Sequence, residues 1–135
     1  MSISWYIYRA EPGAGPIYTW DTDRSERVAT LDIVKSRLTI RFPNLRWQIN
    51  SFQIAGQTQV SHSALAGSYK PGDEYLDLSL SVDTDGYVRM IIARKASPKV
   101  VIAIMEEFSL DSVYQDQPGV MVDPHAFDKN WSPKR

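Results

Sequence analysis

Apolar and polar residues alternate along residues 75–94, and this period of two predicts one long β-hairpin. A two-residue loop would put the apolar rows of the two strands on opposite faces. A three-residue loop, Thr84-Asp85-Gly86, keeps both rows on one face, with Gly86 in a left-handed conformation within a bulge. The predicted pairs are Val82 with Val88, Leu80 with Met90 and Leu78 with Ile92. The other face carries polar side chains and is predicted to be solvated.

Two helices are predicted from apolar residues that recur every three or four positions. The first lies within residues 21–42, where Asp23 or Ser25 suits the cap and Pro43 ends the helix. Its predicted buried stripe comprises Val28, Leu31, Val34, Leu38 and Phe42. The second begins at Ser97-Pro98, because proline at the first helical position lacks only an N–H group that has no partner there. Its predicted buried stripe comprises Val101, Ile104, Met105 and Phe108.

Further strands are predicted over residues 4–10, over residues 58–65, and in a second hairpin of residues 112–116 and 120–123. Residues 45–54 alternate less cleanly and are ambiguous between strand and loop. Short turns between neighbouring strands favour antiparallel pairing. The predicted fold is therefore α+β, a mainly antiparallel sheet of about five to six strands with two amphipathic helices packed on one face. We expect a single domain over residues 1–135, with residues 128–135 as a loose C-terminal tail.

The composition of the chain limits the cellular locations and the classes of partner that we expect. It has no cysteine, which excludes disulfides, thiolate catalysis and cysteine-bound metals, and a reducing cytoplasm is the simplest location. No run of apolar residues is long enough to predict a membrane-spanning helix, and the N-terminus lacks the pattern of a secretory signal. The net charge of −1 argues against a nucleic-acid partner, since binding to phosphates normally needs a basic stripe.

Charge is unevenly distributed between the two halves of the chain. Residues 1–70 carry eight basic and five acidic side chains, whereas residues 71–135 carry seven basic and eleven acidic ones. Two interpretations are open at this point: an ordinary solvated surface, or an acidic docking face for a basic partner.

Sequence motifs do not indicate catalysis. His62 and His125 are the two histidines, and a zinc site would need one or two further ligands placed by the fold. The segment Asp83-Thr84-Asp85-Gly86 begins like a calcium-binding loop but lacks the later ligands, so turn chemistry explains it better. We therefore expect no enzymatic activity, no metal and no cofactor.

Four short segments follow one another in the second half of the chain: Asp85-Gly86-Tyr87-Val88, Ser97-Pro98 with its helix, Asp116-Gln117-Pro118-Gly119, and Val122-Asp123-Pro124. In this layout, which covers roughly residues 75–124, the chain resembles immunity proteins of bacterial polymorphic and contact-dependent growth inhibition toxin systems. It departs from their usual pattern in having Pro118 between the glutamine and the glycine. Residues 1–74 add no family signature.

This resemblance implies a small cytoplasmic protein that binds a cognate toxin, often a basic nuclease, as a heterodimer and blocks or distorts its active site. Acidic groups would steer the basic partner, and aromatic side chains would slow dissociation. We expect the toxin-binding surface on the solvated hairpin face and near the last hairpin, and no nucleic-acid or membrane partner. The candidate residues are Asp77, Ser81, Asp83, Asp85, Tyr87, Arg89, Asp116 and Asp123.

Three alternatives to a toxin-binding protein are open from the sequence. A non-enzymatic adaptor or secretion chaperone-like protein would use the same surfaces. An enzyme could be built around His62 or His125, and a small ligand could lie between the sheet and the helices.

Overall fold

A computed structural model describes residues 4–14, 24–66, 76–94, 96, 98–110, 112–115 and 120–122. These residues form an α+β fold in which an antiparallel sheet packs against two helices, as the sequence predicts. The strands are β1 (Ser4–Tyr8), β2 (Ala29–Thr30), β3 (Arg46–Ile54), β4 (Gln57–Ala66), β5 (Leu76–Val82), β6 (Tyr87–Arg94), β7 (Ser112–Gln115) and β8 (Val120–Val122). The helices are α1 (Leu31–Arg41) and α2 (Pro98–Phe108).

The strand order of the sheet is β3-β4-β5-β6-β1-β7-β8, and every pairing in it is antiparallel. The first strand of the chain thus lies inside the sheet, between β6 and β7. The short strand β2 pairs with the beginning of β6, next to β1 on the same side. The ambiguous residues 45–54 are resolved as β3, which forms a hairpin with β4 through a turn at Ala55 and Gly56.

The core lies on one face of this sheet. Pairing across the strands aligns their buried side chains, for example Trp5 with Ala93 and Leu78 with Ala64. Both helices cover this face, because their buried residues belong to the same cluster as those of the sheet. The helical members of the cluster are Val34, Leu38, Val100, Val101, Ile104, Met105 and Phe108. The predicted buried stripe of the second helix is thus confirmed.

The β5–β6 hairpin confirms the predicted turn but not the whole predicted register. Val82 pairs with Val88, and Gly86 has a φ of 86°. Beyond this pair the register shifts, so that Ser81 pairs with Met90 and Arg89 is the extra residue of a β-bulge. The predicted pairs of Leu80 with Met90 and Leu78 with Ile92 are therefore wrong. Leu80 pairs with Ile91 and Leu78 with Ala93, which buries Ile91 and Ala93.

The first helix begins later than predicted, and Ser25 does not cap it. Residues 28–31 first bond to the β5–β6 hairpin: the Val28 N–H donates to the Val88 carbonyl at 2.8 Å, and the Leu31 N–H donates to the Gly86 carbonyl at 3.0 Å. Thr30 occupies the cap position of α1 without a side-chain cap bond. Ser25 is instead buried in a β-bridge with Ala10. Only Val34 and Leu38 are buried within α1.

The remaining predicted elements agree with the structure where it describes them. Residues 58–65 lie in β4, and β7 and β8 form the last hairpin, whereas the strand predicted over residues 4–10 ends at Tyr8 as β1. Asp23, the turn at residues 117–119 and the tail at residues 128–135 lie outside the described residues. Neither of the two described helices has the length and apolar character needed to cross a membrane.

Candidate functional site

Five side chains meet at the turn of the β5–β6 hairpin, and Asp83 lies at their centre. Its Oδ1 atom accepts the backbone N–H groups of Asp85 and Tyr87 at 2.9 and 3.0 Å. Its Oδ2 atom accepts the Nε–H groups of Arg27 and Arg89, both at 3.0 Å. We call Arg27, Asp83, Asp85, Tyr87 and Arg89 the hairpin-end cluster. Asp83 thus closes the turn and also joins two arginines to it.

The outer part of the hairpin-end cluster is organised by Arg27. Its Nη2 atom donates to Asp85 Oδ2 at 2.5 Å, and its guanidinium lies over the Tyr87 ring at 4.4 Å from the ring centre. Asp85 is the more exposed of the two aspartates in the cluster: 65% of its side chain is accessible to solvent, compared with 16% for Asp83. The polar tip of the hairpin is therefore held in one arrangement while Asp85 stays open to solvent.

Arg89 links the hairpin-end cluster to the N-terminal part of the chain. Besides its bond to Asp83, its Nη1 atom donates to the Ser25 carbonyl at 2.5 Å. The bulge at Arg89 explains this contact, because the extra residue leaves the regular alternation and is redirected toward residues 24–28. Ser25 itself is fully buried.

The charges of the hairpin-end cluster balance one another. Two aspartates face two arginines, so this end of the hairpin is not the acidic docking face that was one of the two interpretations open from the sequence. Arg27 is the reason for the difference. It lies 56 residues before Asp83, in a segment without regular structure, and no periodic pattern or motif marked it.

Hydrogen bonds change the proton affinity of the groups in this cluster. The pKa of Asp83 falls from 3.8 to about 2, because the bond from the Tyr87 backbone N–H, and then the Arg89 side chain, the Asp85 N–H and the charge of Arg27, together outweigh the opposing effect of burial. The bond to Asp85 raises the pKa of Arg27 above its ordinary value. Both shifts favour the charged forms of Asp83 and Arg27.

The other predicted site residues lie apart from this cluster or outside the described residues. Asp77 is at the opposite end of β5, where its Oδ1 atom accepts a bond from Arg94 at 3.3 Å. Ser81 lies between the two ends and is half-buried, opposite Met90. Asp116 and Asp123 are outside the described residues. The structure therefore brings together four of the eight candidates, Asp83, Asp85, Tyr87 and Arg89.

A second surface, which the sequence analysis missed, lies on the β3–β4 hairpin. Only residues 62–66 of β4 pair with β5 within the described chain, so residues 50–61 extend past the sheet; we call them the β-arm. Large apolar side chains on and beside the β-arm are exposed: Ile49 at 63%, Ile54 at 57% and Val60 at 53%. The weak alternation of residues 45–54 results from this exposure on both faces.

A shallow groove of about 390 Å³ runs between α1 and β3 beside the β-arm. Trp47 forms its floor, donating from Nε1 to Thr39 Oγ1 at 2.9 Å, and Lys35 lies 5.2 Å from the centre of the Trp47 rings. Ile40, which is 79% exposed, completes the wall. On the same face of the hairpin, burial and then the nearby charge of Lys35 lower the pKa of His62 below 6.5.

Within the described residues, no three His, Asp or Glu side chains come close enough together to hold a metal ion. The described residues thus form two separate surfaces, a charged and preformed hairpin end and an uncharged β-arm that exposes the apolar side chains of Ile54 and Val60. No family model, curated protein or solved structure matches this chain.

Proposed function

We propose that this chain is an immunity protein that binds a cognate bacterial toxin and neutralises it without catalysing a reaction. The partner would be a basic, nuclease-type effector domain, and binding would take place in the cytoplasm. The observation that carries this proposal is the hairpin-end cluster, in which Asp83 accepts four hydrogen bonds and holds Arg27 and Arg89 beside Asp85 and Tyr87.

A preformed cluster of this kind suits recognition of another protein. Long charged side chains usually lose rotamer freedom when they enter an interface, and this loss weakens binding. Here Arg27 and Arg89 are already tied to Asp83 before any partner arrives. The exposed Asp85 carboxylate remains available to a cationic group, and Tyr87 offers a half-buried ring beside it.

The balanced charge changes the expected mode of recognition. A purely acidic hairpin end would act mainly by long-range attraction, with association rates that fall steeply with salt. Two aspartates bonded to two arginines have little net field at a distance. We therefore expect specificity to come from the pattern of donors and acceptors at short range, with only a modest effect of salt on the association rate.

Co-expression tests the proposed function directly. The reading frame next to the gene for this chain would be induced in a bacterial host with and without the chain, and survival and complex formation would be measured. Growth arrest that this chain relieves, with a stable complex of the two proteins, is the expected result. A frame that is not toxic, or that stays toxic in the presence of the chain, would show the proposal to be wrong. A non-toxic frame whose product nevertheless binds would favour an adaptor or chaperone.

The position of the binding surface is tested with single variants and the purified toxin domain. Asp85→Ala and Tyr87→Ala should each weaken binding by about tenfold or more, as truncations in the centre of an interface do. Glu106→Ala is the matched control, because Glu106 is also exposed but lies on α2. Affinities are measured by titration calorimetry. Equal affinities for all three variants would show that the interface does not include the hairpin end.

A further inference from the structure

The outer strand β3 has features that outer strands of monomeric proteins usually avoid. It is nine residues long, contains no proline and has a single charged residue, Arg46, at its first position. Within the described residues, no strand pairs with its outer side. Proteins normally protect such an edge with lysine, proline, a bulge or a very short strand, because its free backbone groups can pair with another strand.

The hairpin register shows which backbone groups of β3 point outward. Ile54 and Gln57 flank the two-residue turn and are directly paired. In such a hairpin these flanking residues exchange both backbone bonds, and the pattern then alternates along the strand. Residues 47, 49, 51 and 53 therefore direct their N–H and C=O groups away from β4, toward the open side.

The β-arm also exposes apolar side chains that an additional strand would cover. Ile49 and Val60 lie on the helix-side face of the hairpin, and Ile54 lies on the other face. A two-stranded ribbon with both faces in water is only marginally stable alone. Pairing along β3 would widen the ribbon and place neighbours beside these side chains.

We propose that β3 pairs with β3 of a second copy of this chain, antiparallel and in full register, with the two-fold axis at Asn50. In this register every residue of Arg46–Ile54 has a partner, and Trp47 of one copy lies opposite Gln53 of the other. The charges also suit a second copy. The two Arg46 side chains lie at opposite ends of the shared ladder, each across from Ile54, so no like charges meet. The pairing closes on itself, as two-fold interfaces do.

This inference goes beyond the toxin-binding function and uses a different surface. The hairpin-end cluster lies at the turn between β5 and β6, whereas β3 is separated from β5 by β4. A dimer through β3 leaves both hairpin ends free, so two toxin molecules would bind one dimer. The β3 pairing requires only the purified chain and is tested without a toxin.

Sedimentation of the full chain over a hundredfold range of concentration gives the first test. The expected species is a dimer that Ser51→Pro converts to monomer, because proline removes an outward N–H at the centre of the ladder. Thr58→Pro is the matched control: it places proline at an outward position on the β4 side of the same β-arm and should leave the dimer intact. Circular dichroism verifies that both variants fold. A wild-type chain that stays monomeric, or that forms open-ended oligomers, would overturn the inference.

Disulfide trapping gives a second test that does not depend on a destabilising variant. The chain has no cysteine, so a single introduced thiol has one possible partner, its copy in the second chain. In the proposed register the two Asn50 residues form a non-hydrogen-bonded pair with Cα atoms about 4.5 Å apart, within the range of a disulfide. Asn50→Cys should therefore cross-link on mild oxidation, while Gln48→Cys should not. Equal cross-linking of both variants would indicate random collision and contradict the register.

Discussion

Asp83 combines two tasks that usually fall to different residues. Its Oδ1 atom closes a three-residue turn by accepting two backbone N–H groups, and its Oδ2 atom joins Arg27 and Arg89. An asparagine could keep part of the turn, but it has no charge to hold the two guanidiniums. The geometry of the hairpin end therefore depends on a carboxylate at this position.

The acid stability of the protein should reflect Asp83. Because its pKa falls from 3.8 to about 2 in the folded chain, its contribution to the free energy of unfolding is complete above about pH 4. That contribution is lost as the pH falls from about 4 through 2. Urea unfolding at several pH values should show a steeper loss for wild type than for Asp83→Asn in this window. Glu106→Gln is the control, and a loss as steep in Asp83→Asn as in wild type would contradict the assignment.

Ala55 has a φ of 52°, a conformation that costs an L-residue about 1 kcal/mol or more. Asparagine tolerates this region better than alanine, and Asn-Gly is the preferred pair for a two-residue turn. Ala55→Asn should therefore raise the free energy of unfolding by about 0.5–1 kcal/mol in urea. Gly56→Ala, at a φ of 80°, should lower it, although an added Cβ would meet no atom within 4 Å. A higher free energy of unfolding for Ala55→Asn and a lower one for Gly56→Ala would confirm that backbone conformation, and not side-chain contact, decides the effect.

Local sequence predicts a residue's role when its partners are close in the chain. Asp83 and Gly86 were placed correctly in the turn because its chemistry is contained within five residues. Arg27 was missed because its bonds to Asp83 and Asp85 depend on how residues 24–30 run beside β6. The bulge at Arg89 was missed because Met90 and Ile91 are both apolar, so either one satisfies the alternation.

At the scale of elements, α1 presents two kinds of apolar residue. Leu38 is fully buried in the core, whereas Ile40 is 79% exposed at the groove beside Trp47. The spacing of three and four predicted the buried pair Val34 and Leu38 correctly. It could not predict where the helix begins, because residues 28–31 bond to the β5–β6 hairpin, and that competition is invisible in the sequence.

Two truncations in α1 should separate these kinds of residue. Leu38→Ala should lower the free energy of unfolding by about 2–5 kcal/mol, because it leaves a cavity in the core. Ile40→Ala should change it by about 0.5 kcal/mol or less, as a surface substitution does. Both are measured by urea unfolding. A large loss for Ile40→Ala would mean that another part of the chain covers the groove.

At the scale of the whole molecule, two parts of the sheet differ in what they contribute to the core: β1 contributes to it, and the β-arm extends beyond it. Strand β1 contributes Trp5 and Ile7 to the core and pairs with strands on both sides. Among the β-arm residues whose side chains the structure describes, none belongs to that core. The class of the fold followed from the sequence, since helix and strand periods are local. The strand order did not, because the partners of β1 lie far along the chain.

Two deletions should show this difference. Replacing residues 51–60 by Asn-Gly, which joins the paired Asn50 and Ser61 through a two-residue turn, should leave a cooperative unfolding transition near that of wild type. Removing residues 1–8 should abolish it, because β6 and β7 lose their shared neighbour. Circular dichroism during heating measures both. A folded chain without residues 1–8 would contradict the central role of β1.

The position of β1 also affects the order of events during synthesis. Tyr6 pairs with Ile92 on one side and with Tyr114 on the other, so β1 leaves the ribosome long before either of its neighbours in the sheet has been translated. At about 5–20 residues per second, the delay is roughly 4–17 s before Ile92 is added. During that time Trp5 and Ile7 are accessible to ribosome-associated chaperones. A translational pause before the codons of β6 would prolong this vulnerable period, whereas a pause after β7 would not.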